Sequence, residues 1–180
     1  MLLDANELSM RFKDGRLYIK TSKNIAAIFG VEFTPSQYIR QVDSVKIVWG
    51  VTKFPEGANW KKGNNRLAIG ALIVMGTEKL SSGLPFGINA APPFFGPFIG
   101  DKEIVGKKYL GAFYKKGGRY YCVSNKLGKS VTTYFDIAQK YRKEFKQDVP
   151  PVTAFGFQMN TKDTSGGAEA FIESITFYSK

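Results

Sequence analysis

Residues 67–75, Leu-Ala-Ile-Gly-Ala-Leu-Ile-Val-Met, are apolar at every position and follow a polar turn at 62–65, Lys-Gly-Asn-Asn. The run is short and is interrupted by Gly70, so it favours a strand over a buried helix. A strand without polar alternation is typical of one that is covered on both faces. We therefore predict a central β-strand at 67–75.

The stretches on either side of this run show the two-residue alternation of half-buried strands. In the clearest case, Val45, Ile47, Trp49 and Val51 share one face. Further strands are predicted at 25–33, 109–114, 119–124, 152–159 and 168–178. The pair at 109–114 and 119–124 flanks Lys-Lys-Gly-Gly at 115–118, whose two glycines are expected to supply the positive φ of a hairpin turn.

One helix is predicted near 136–146. Asp136 is a candidate N-cap with Gln139 three residues later, and Ile137, Tyr141 and Phe145 form one apolar stripe. About eight strands with a single helix predict an all-β fold, a two-sheet β-sandwich with Greek-key or jelly-roll connections. We expect one domain over 1–180, with residues 1–14 as an N-terminal extension.

The composition excludes several kinds of chemistry. The 180 residues include 26 Lys or Arg, 15 Asp or Glu and no His, and the formal net charge is +11. Without histidine, the chain by itself cannot form a Ser-His-Asp or Cys-His triad or a His-ligated zinc site. The one cysteine, Cys122, lies in a strand-like run and predicts a buried thiol.

The positive charge of this basic protein is spread along the chain rather than concentrated in one tail. Lysine far exceeds arginine, whereas bidentate recognition of phosphates and guanines favours arginine. The pattern predicts weak, salt-sensitive attraction to polyanions and no specific nucleic-acid site. No apolar run is long enough to predict a transmembrane segment.

Five segments, taken in order, carry a resemblance to a known family. They are Val48-Trp49-Gly50-Val51, Phe54-Pro55-Glu56-Gly57-Ala58, the turn at 62–65 with the strand that follows it, Tyr141-Arg142-Lys143-Glu144-Phe145, and the block from Asn160 to Ala170. Over roughly Gly15 to Tyr178 the chain resembles a bacterial family of domains of unknown function, family 3047. The resemblance implies a galactose-binding-like jelly roll similar to carbohydrate-binding modules. It also implies a periplasmic or extracellular location if a signal peptide has been removed, and it implies no settled activity.

Two places depart from the pattern of that family. Asn64 and Asn65 stand where the family usually has acidic residues, and Asn160 stands where it usually has aspartate. An amide keeps the shape of a carboxylate but removes its charge. Because hard cations and proton transfer both require carboxylates, these positions argue against a cation site or an acid–base pair there.

The polar loops provide the candidate ligand-binding residues. The loop at 160–169 is rich in hydrogen-bonding groups, although such a loop can also be held purely by its own Asx and ST turns. Trp60 lies in a polar loop, where an exposed tryptophan would be a recognition residue. The candidate ligand-binding set is Trp60, Asn64, Asn65, Arg66, Asn160, Lys162, Asp163 and Glu169.

Glu173 is the candidate metal ligand. It shares the odd-numbered face of its strand with Phe171, Ile175 and Phe177, and a carboxylate in an apolar row needs a partner unless a bulge turns it outward. In sugar-binding sandwiches similar to this family, an acidic residue near this point of the last strand helps to hold a structural calcium ion. No other cofactor is expected.

The segment from Leu84 to Gly100 is too long and too apolar for an ordinary turn. It predicts either a lid over the core or a surface that docks on a partner, since apolar patches of this size are rarely left bare. The candidate docking residues are Phe86, Phe94, Phe95 and Phe98.

Three functions are compatible with these patterns. The sequence favours a non-catalytic binding module of the bacterial envelope or exterior, with a glycan-like or other polar ligand. One alternative is an accessory or scaffold subunit that docks on a larger assembly, such as an envelope protein. The other is a carbohydrate-active enzyme that uses two carboxylates from a candidate set: Glu56, Asp101, Glu103, Asp163 and Glu169.

Overall fold

The computed structural model describes residues 2–82 and 90–179. About half of these residues lie in β-strands, and the described part contains one α-helix. The strands are β1 (Leu2–Leu3), β2 (Ser9–Lys13), β3 (Arg16–Thr21), β4 (Ala26–Glu32), β5 (Val42–Lys53), β6 (Leu67–Met75), β7 (Phe94–Ile99), β8 (Lys108–Tyr109), β9 (Gly118–Ser124), β10 (Val131–Asp136), β11 (Val152–Asn160) and β12 (Ala168–Ser179). The helix α1 is Ile137–Phe145.

The strands form two sheets that pack face to face. The seven-stranded sheet has the order β1-β4-β11-β6-β7-β9-β8, and the five-stranded sheet has the order β10-β5-β12-β3-β2. Several neighbours in this order, such as β5 and β12, come from distant parts of the chain, and every pair except β7–β9 is antiparallel. The prediction of a two-sheet jelly-roll sandwich with one short helix is confirmed.

The predicted central strand is β6, whose bounds are those of the apolar run. It lies between β11 and β7, and Ile69 and Ile73 point into the space between the sheets, where both are almost fully buried. The apolar face of β5 meets them from the other sheet, with Val45, Ile47, Trp49 and Val51 all buried completely. Burial of these rows on facing sheets is the main source of stability of the sandwich.

The helix forms where its capping residue and apolar stripe predicted it. The Asp136 side chain accepts a hydrogen bond from the backbone N–H of Gln139, at 2.8 Å. Ile137 and Tyr141 are buried against the core, and Phe145 packs at its edge. The helix ends at Lys146, which adopts a left-handed conformation with a φ of 57°.

The described residues of the predicted N-terminal extension, 2–14, are part of the sandwich instead. Within them, β1 pairs with β4 in one sheet and β2 pairs with β3 in the other. The turn between β2 and β3 has Asp14 and Gly15 at its centre, both with positive φ, which is the geometry that Asp-Gly favours in a two-residue hairpin. That dipeptide was the signal for β2 and β3, two strands that the sequence interpretation missed.

The predicted hairpin at 109–124 forms only in part. Its first strand, β8, has two residues, and the positive φ before β9 belongs to Tyr114, at 57°, rather than to Gly117 or Gly118. Gly118 is needed for space instead, because a Cβ there would lie 2.7 Å from the ring of Phe94. Cys122, in β9, is fully buried as predicted.

The predicted docking surface is not found in the described part of segment 84–100. Phe94, Phe95 and Phe98 belong to strand β7, with 8%, 0% and 0% of their surface exposed. They are buried because β7 is an inner strand, flanked by β6 and β9. Phe86 lies outside the described residues.

Candidate ligand-binding cleft

A cleft of about 620 Å³ lies on the outer face of the seven-stranded sheet. Its floor is built by side chains that alternate with core residues, so they point away from the five-stranded sheet. The floor includes one residue from each of five neighbouring strands: Ile28, Gln158, Leu72, Phe94 and Tyr120. The volume is within the range of ordinary small-molecule sites, roughly 300 to 1,000 Å³.

Glycines recur along one cross-strand row of this sheet. Gly30 is paired with Gly156, which is paired in turn with Leu72. Further along the same row Gly96 is paired with Tyr120, and a Cβ on Gly96 would lie 2.4 Å from the Tyr120 ring. The absence of a side chain at Gly96 therefore lets the tyrosine ring lie along the sheet.

Trp60 forms an aromatic wall of the cleft. Its ring stacks on Phe98, with 4.7 Å between the centroids, and contacts Tyr120 at 4.8 Å. The indole N–H donates to the carbonyl of Arg66 at 3.0 Å, and the backbone N–H donates to the carboxylate of Glu103 at 2.9 Å. Only 6% of Trp60 is exposed, so the exposed position considered from the sequence does not occur.

Gln158 is a polar group on an otherwise mostly apolar part of the floor. Its side chain lies across the two intervening strands from Tyr120, close enough to the phenol to lower the pKa of Tyr120. Burial raises the pKa of Tyr120 to about 12, because its effect is larger than the lowering by the nearby Gln158 side chain. The phenol is therefore neutral at physiological pH, and Gln158 and Tyr120 present hydrogen-bonding groups without net charge to the cleft.

One end of the cleft is polar, and here the two predicted loops meet. Asn65, Arg66 and Asn160 line it. The Arg66 guanidinium donates to the carbonyl of Lys162 and to the carboxylate of Asp163, the latter at 2.8 Å. Arg66 thus ties the loop before β6 to the loop after β11, and Trp60 and Asn160 line the same cleft.

Four residues of the predicted set do not line the cleft: Asn64, Lys162, Asp163 and Glu169. Asn64 uses its amide to donate to the carbonyl of Gly57 at 2.9 Å, within its own loop. Glu169 is exposed on β12, in the other sheet, where it is paired with Lys20 and Lys53.

Glu173 is held by an arginine. The register of β12 against β5 shifts between Ile172 and Ser174, which leaves Glu173 in a bulge, and its carboxylate lies 2.8 Å from the guanidinium of Arg16. Arg16 takes the place that the sequence interpretation gave to a calcium ion. In 2–82 and 90–179 no group of three His, Cys, Asp or Glu side chains is arranged to hold a metal ion.

The candidate catalytic carboxylates have separate structural partners. Glu103 accepts from the backbone of Trp60, Glu56 accepts from the hydroxyl of Ser165, and Asp163 pairs with Arg66. Among the described residues that line the cleft, Glu32 carries the only carboxylate.

The sequence interpretation missed two cleft residues. Gln158 lies in an apolar strand, between two residues that face the core, and this isolated polar position was a usable signal. Phe113 lines the cleft and is 50% exposed, but it was assigned to a strand of the predicted hairpin. Its exposure follows from the early end of β8.

No family model matches the chain, and no curated protein matches it significantly, so membership of family 3047 remains a prediction. No helix in the described ranges is long and apolar enough to cross a membrane.

The chain is similar in structure to the xyloglucanase domain of NopAA, a type three effector from Sinorhizobium fredii solved with cellobiose. The two share 14% identity and a TM-score of 0.43, over 96% of this chain and 87% of that one. It is also similar to a loop-swap mutant of Necallimastix patriciarum Xyn11A, at 11% identity and a TM-score of 0.38, over 97% of this chain and 96% of that one. Neither likeness bears on the ligand or the activity of this chain.

Proposed function

We propose that this chain is a non-catalytic glycan-binding module whose ligand lies in the cleft on the seven-stranded sheet. The observation that carries the proposal is the combination of two adjoining aromatic rings, Trp60 in the wall and Tyr120 in the floor, with the amide groups of Asn65, Gln158 and Asn160 in one cleft. A periplasmic or extracellular location, expected from the family resemblance, belongs to the same proposal.

The chemistry of the cleft fits a sugar chain. Sugars present apolar C–H faces that stack on aromatic rings, and hydroxyl groups that exchange hydrogen bonds with amides. Phe113 is half exposed in the cleft, so its ring is free to take part in such stacking. The cleft thus provides both kinds of contact.

The polar groups of the cleft favour binding over hydrolysis. Glycosidases generally use two carboxylates on opposite sides of the bond that is cleaved. The described lining residues include one carboxylate, that of Glu32, and two cations, Arg66 and Lys79. An amide, Gln158, lies on the floor, and an amide neither donates a proton to a leaving group nor acts as a nucleophile.

Substitution of Phe113 by alanine is expected to weaken glycan binding roughly five- to tenfold, because one stacking ring is lost. Gln158→Ala is expected to have a similar effect, because it removes a hydrogen-bonding amide from the cleft floor. The measurement is isothermal titration calorimetry of the full chain with hexasaccharides of β-linked glucose, xylose and mannose.

The matched control for Phe113→Ala is Tyr134→Ala. Tyr134 is 68% exposed on β10, in the other sheet, so its loss removes an exposed ring away from the cleft. The proposal fails if no hexasaccharide gives a binding heat, or if Tyr134→Ala weakens binding as much as Phe113→Ala.

A further inference from the structure

The five-stranded sheet ends in an open strand. In the described part of the chain, β2 pairs with β3 on one side and with no strand on the other. All five of its residues are exposed. The backbone N–H and C=O groups along its free side are therefore available to another strand.

One face of β2 is apolar. Phe12 is 74% exposed and Met10 is 39% exposed. They are paired with Leu17 and Ile19, and cross-strand partners point to the same face. Ile19 is buried in the core and Leu17 packs against the core. Met10 and Phe12 therefore lie on the core-facing side of the five-stranded sheet, but they are exposed to solvent.

The opposite face of β2 is basic. Arg11 and Lys13 alternate with the apolar pair, and β3 adds Arg16 and Lys20 to the same face. Glu173 pairs with Arg16. A strand laid beside β2 would place every second side chain next to Arg11 and Lys13.

We propose that β2 binds an extended segment of a partner protein in which acidic and apolar residues alternate. The partner strand would continue the five-stranded sheet, with its apolar side chains on Met10 and Phe12 and its carboxylates beside Arg11 and Lys13. This is β-strand addition, in which backbone hydrogen bonds give affinity and alternate side chains give specificity.

A second copy of this chain fits the strand less well. Antiparallel pairing of two β2 strands that matches Met10 with Phe12 sets Arg11 of one copy directly opposite Arg11 of the other. Like charges directly opposite each other destabilise a strand pair. An acidic partner strand replaces this repulsion with attraction to Arg11, so it fits β2 better than a second copy does.

The test uses a fluorescein-labelled peptide, Glu-Val-Glu-Val-Glu-Val-Glu, with the full chain and fluorescence anisotropy as the readout. The peptide should bind, and it should slow hydrogen exchange of backbone amides within residues 9–13. Phe12→Lys should weaken binding roughly tenfold or more, because it removes the apolar contact. Tyr134→Lys, at a similarly exposed aromatic on β10, should leave binding unchanged.

Phe12→Lys also separates strand addition from simple charge attraction, because the new lysine would strengthen attraction to an acidic peptide. The proposal is overturned if Phe12→Lys binds as well as the parent chain or better. It is equally overturned if a block peptide of four glutamates followed by three valines binds as well as the alternating one. Self-association of the chain through β2, without peptide binding, would assign the strand to a second copy instead.

Discussion

Replacement of Glu144 by alanine is expected to lower the free energy of unfolding by roughly 2 to 4 kcal/mol. The Glu144 side chain is 9% exposed and accepts hydrogen bonds from Lys108, Arg119 and Tyr121 at 2.7 to 3.0 Å. These partners lie on β8 and β9, so the carboxylate fastens α1 to the edge of the seven-stranded sheet. Its loss leaves the mostly buried Arg119 guanidinium without its counter-charge.

The same residue makes the stability dependent on pH. Burial alone would raise the pKa of Glu144, but the hydrogen bonds from Lys108, Tyr121 and Arg119 outweigh it and hold the pKa below its ordinary value. A carboxyl group whose pKa is lower in the folded state stabilises the fold above its unfolded pKa, and this contribution is lost as the pH falls through the folded pKa. Lys140, which packs over the Tyr121 ring at 4.3 Å, adds to the positive surroundings of the carboxylate.

Urea unfolding at several pH values checks both expectations. Below about pH 4.5, the parent chain should lose stability more steeply than Glu144→Gln, whose side chain does not titrate there. Arg142→Ala is the matched control, because it removes an exposed charge from the same helix, and it should change stability by no more than about 0.5 kcal/mol. If Glu144→Ala lowers the free energy of unfolding by no more than Arg142→Ala does, Glu144 does not fasten α1 to the sheet.

Replacement of Glu103 by alanine is expected to cost roughly 2 to 3 kcal/mol and to loosen Trp60. Glu103 is 4% exposed, and its carboxylate accepts from the backbone N–H of Trp60 at 2.9 Å and from that of Lys102 at 3.1 Å. Alanine supplies no acceptor, so the Trp60 amide would be left buried and unpaired. Because Trp60 forms the wall of the cleft, the change should also lower the affinity of the cleft for any ligand that it binds.

Acrylamide quenching of tryptophan fluorescence, together with urea unfolding, measures this effect. Trp49 is completely buried in the sandwich core, so a newly quenchable fraction in Glu103→Ala would come from Trp60. Glu103→Gln keeps one side-chain oxygen as an acceptor and should lose less than half as much stability. Asp101→Ala, at an exposed neighbouring carboxylate, serves as the control. Unchanged quenching in Glu103→Ala would show that the carboxylate does not hold the tryptophan.

The cleft was only partly predictable from the sequence. Asn65, Arg66, Asn160 and Trp60 were chosen because they lie in polar loops, and all four line the cleft. The sequence interpretation did not show that Arg66 reaches Asp163, 97 positions away along the chain. Nor did it show that the loop of Trp60 folds down on Phe98, because its polar residues suggested exposure.

What the sequence determined by itself was the local structure. The apolar run at 67–75 is β6, the alternation at 45–51 is the buried face of β5, and Asp136 begins α1, because strand and helix periodicity are encoded within short stretches of chain. The tertiary structure alone decided which strands became neighbours. The order β4-β11-β6-β7-β9 brings Gln158 within reach of Tyr120 and makes Phe94, Phe95 and Phe98 part of an inner strand. Strand order depends on contacts between distant segments, which no local pattern specifies.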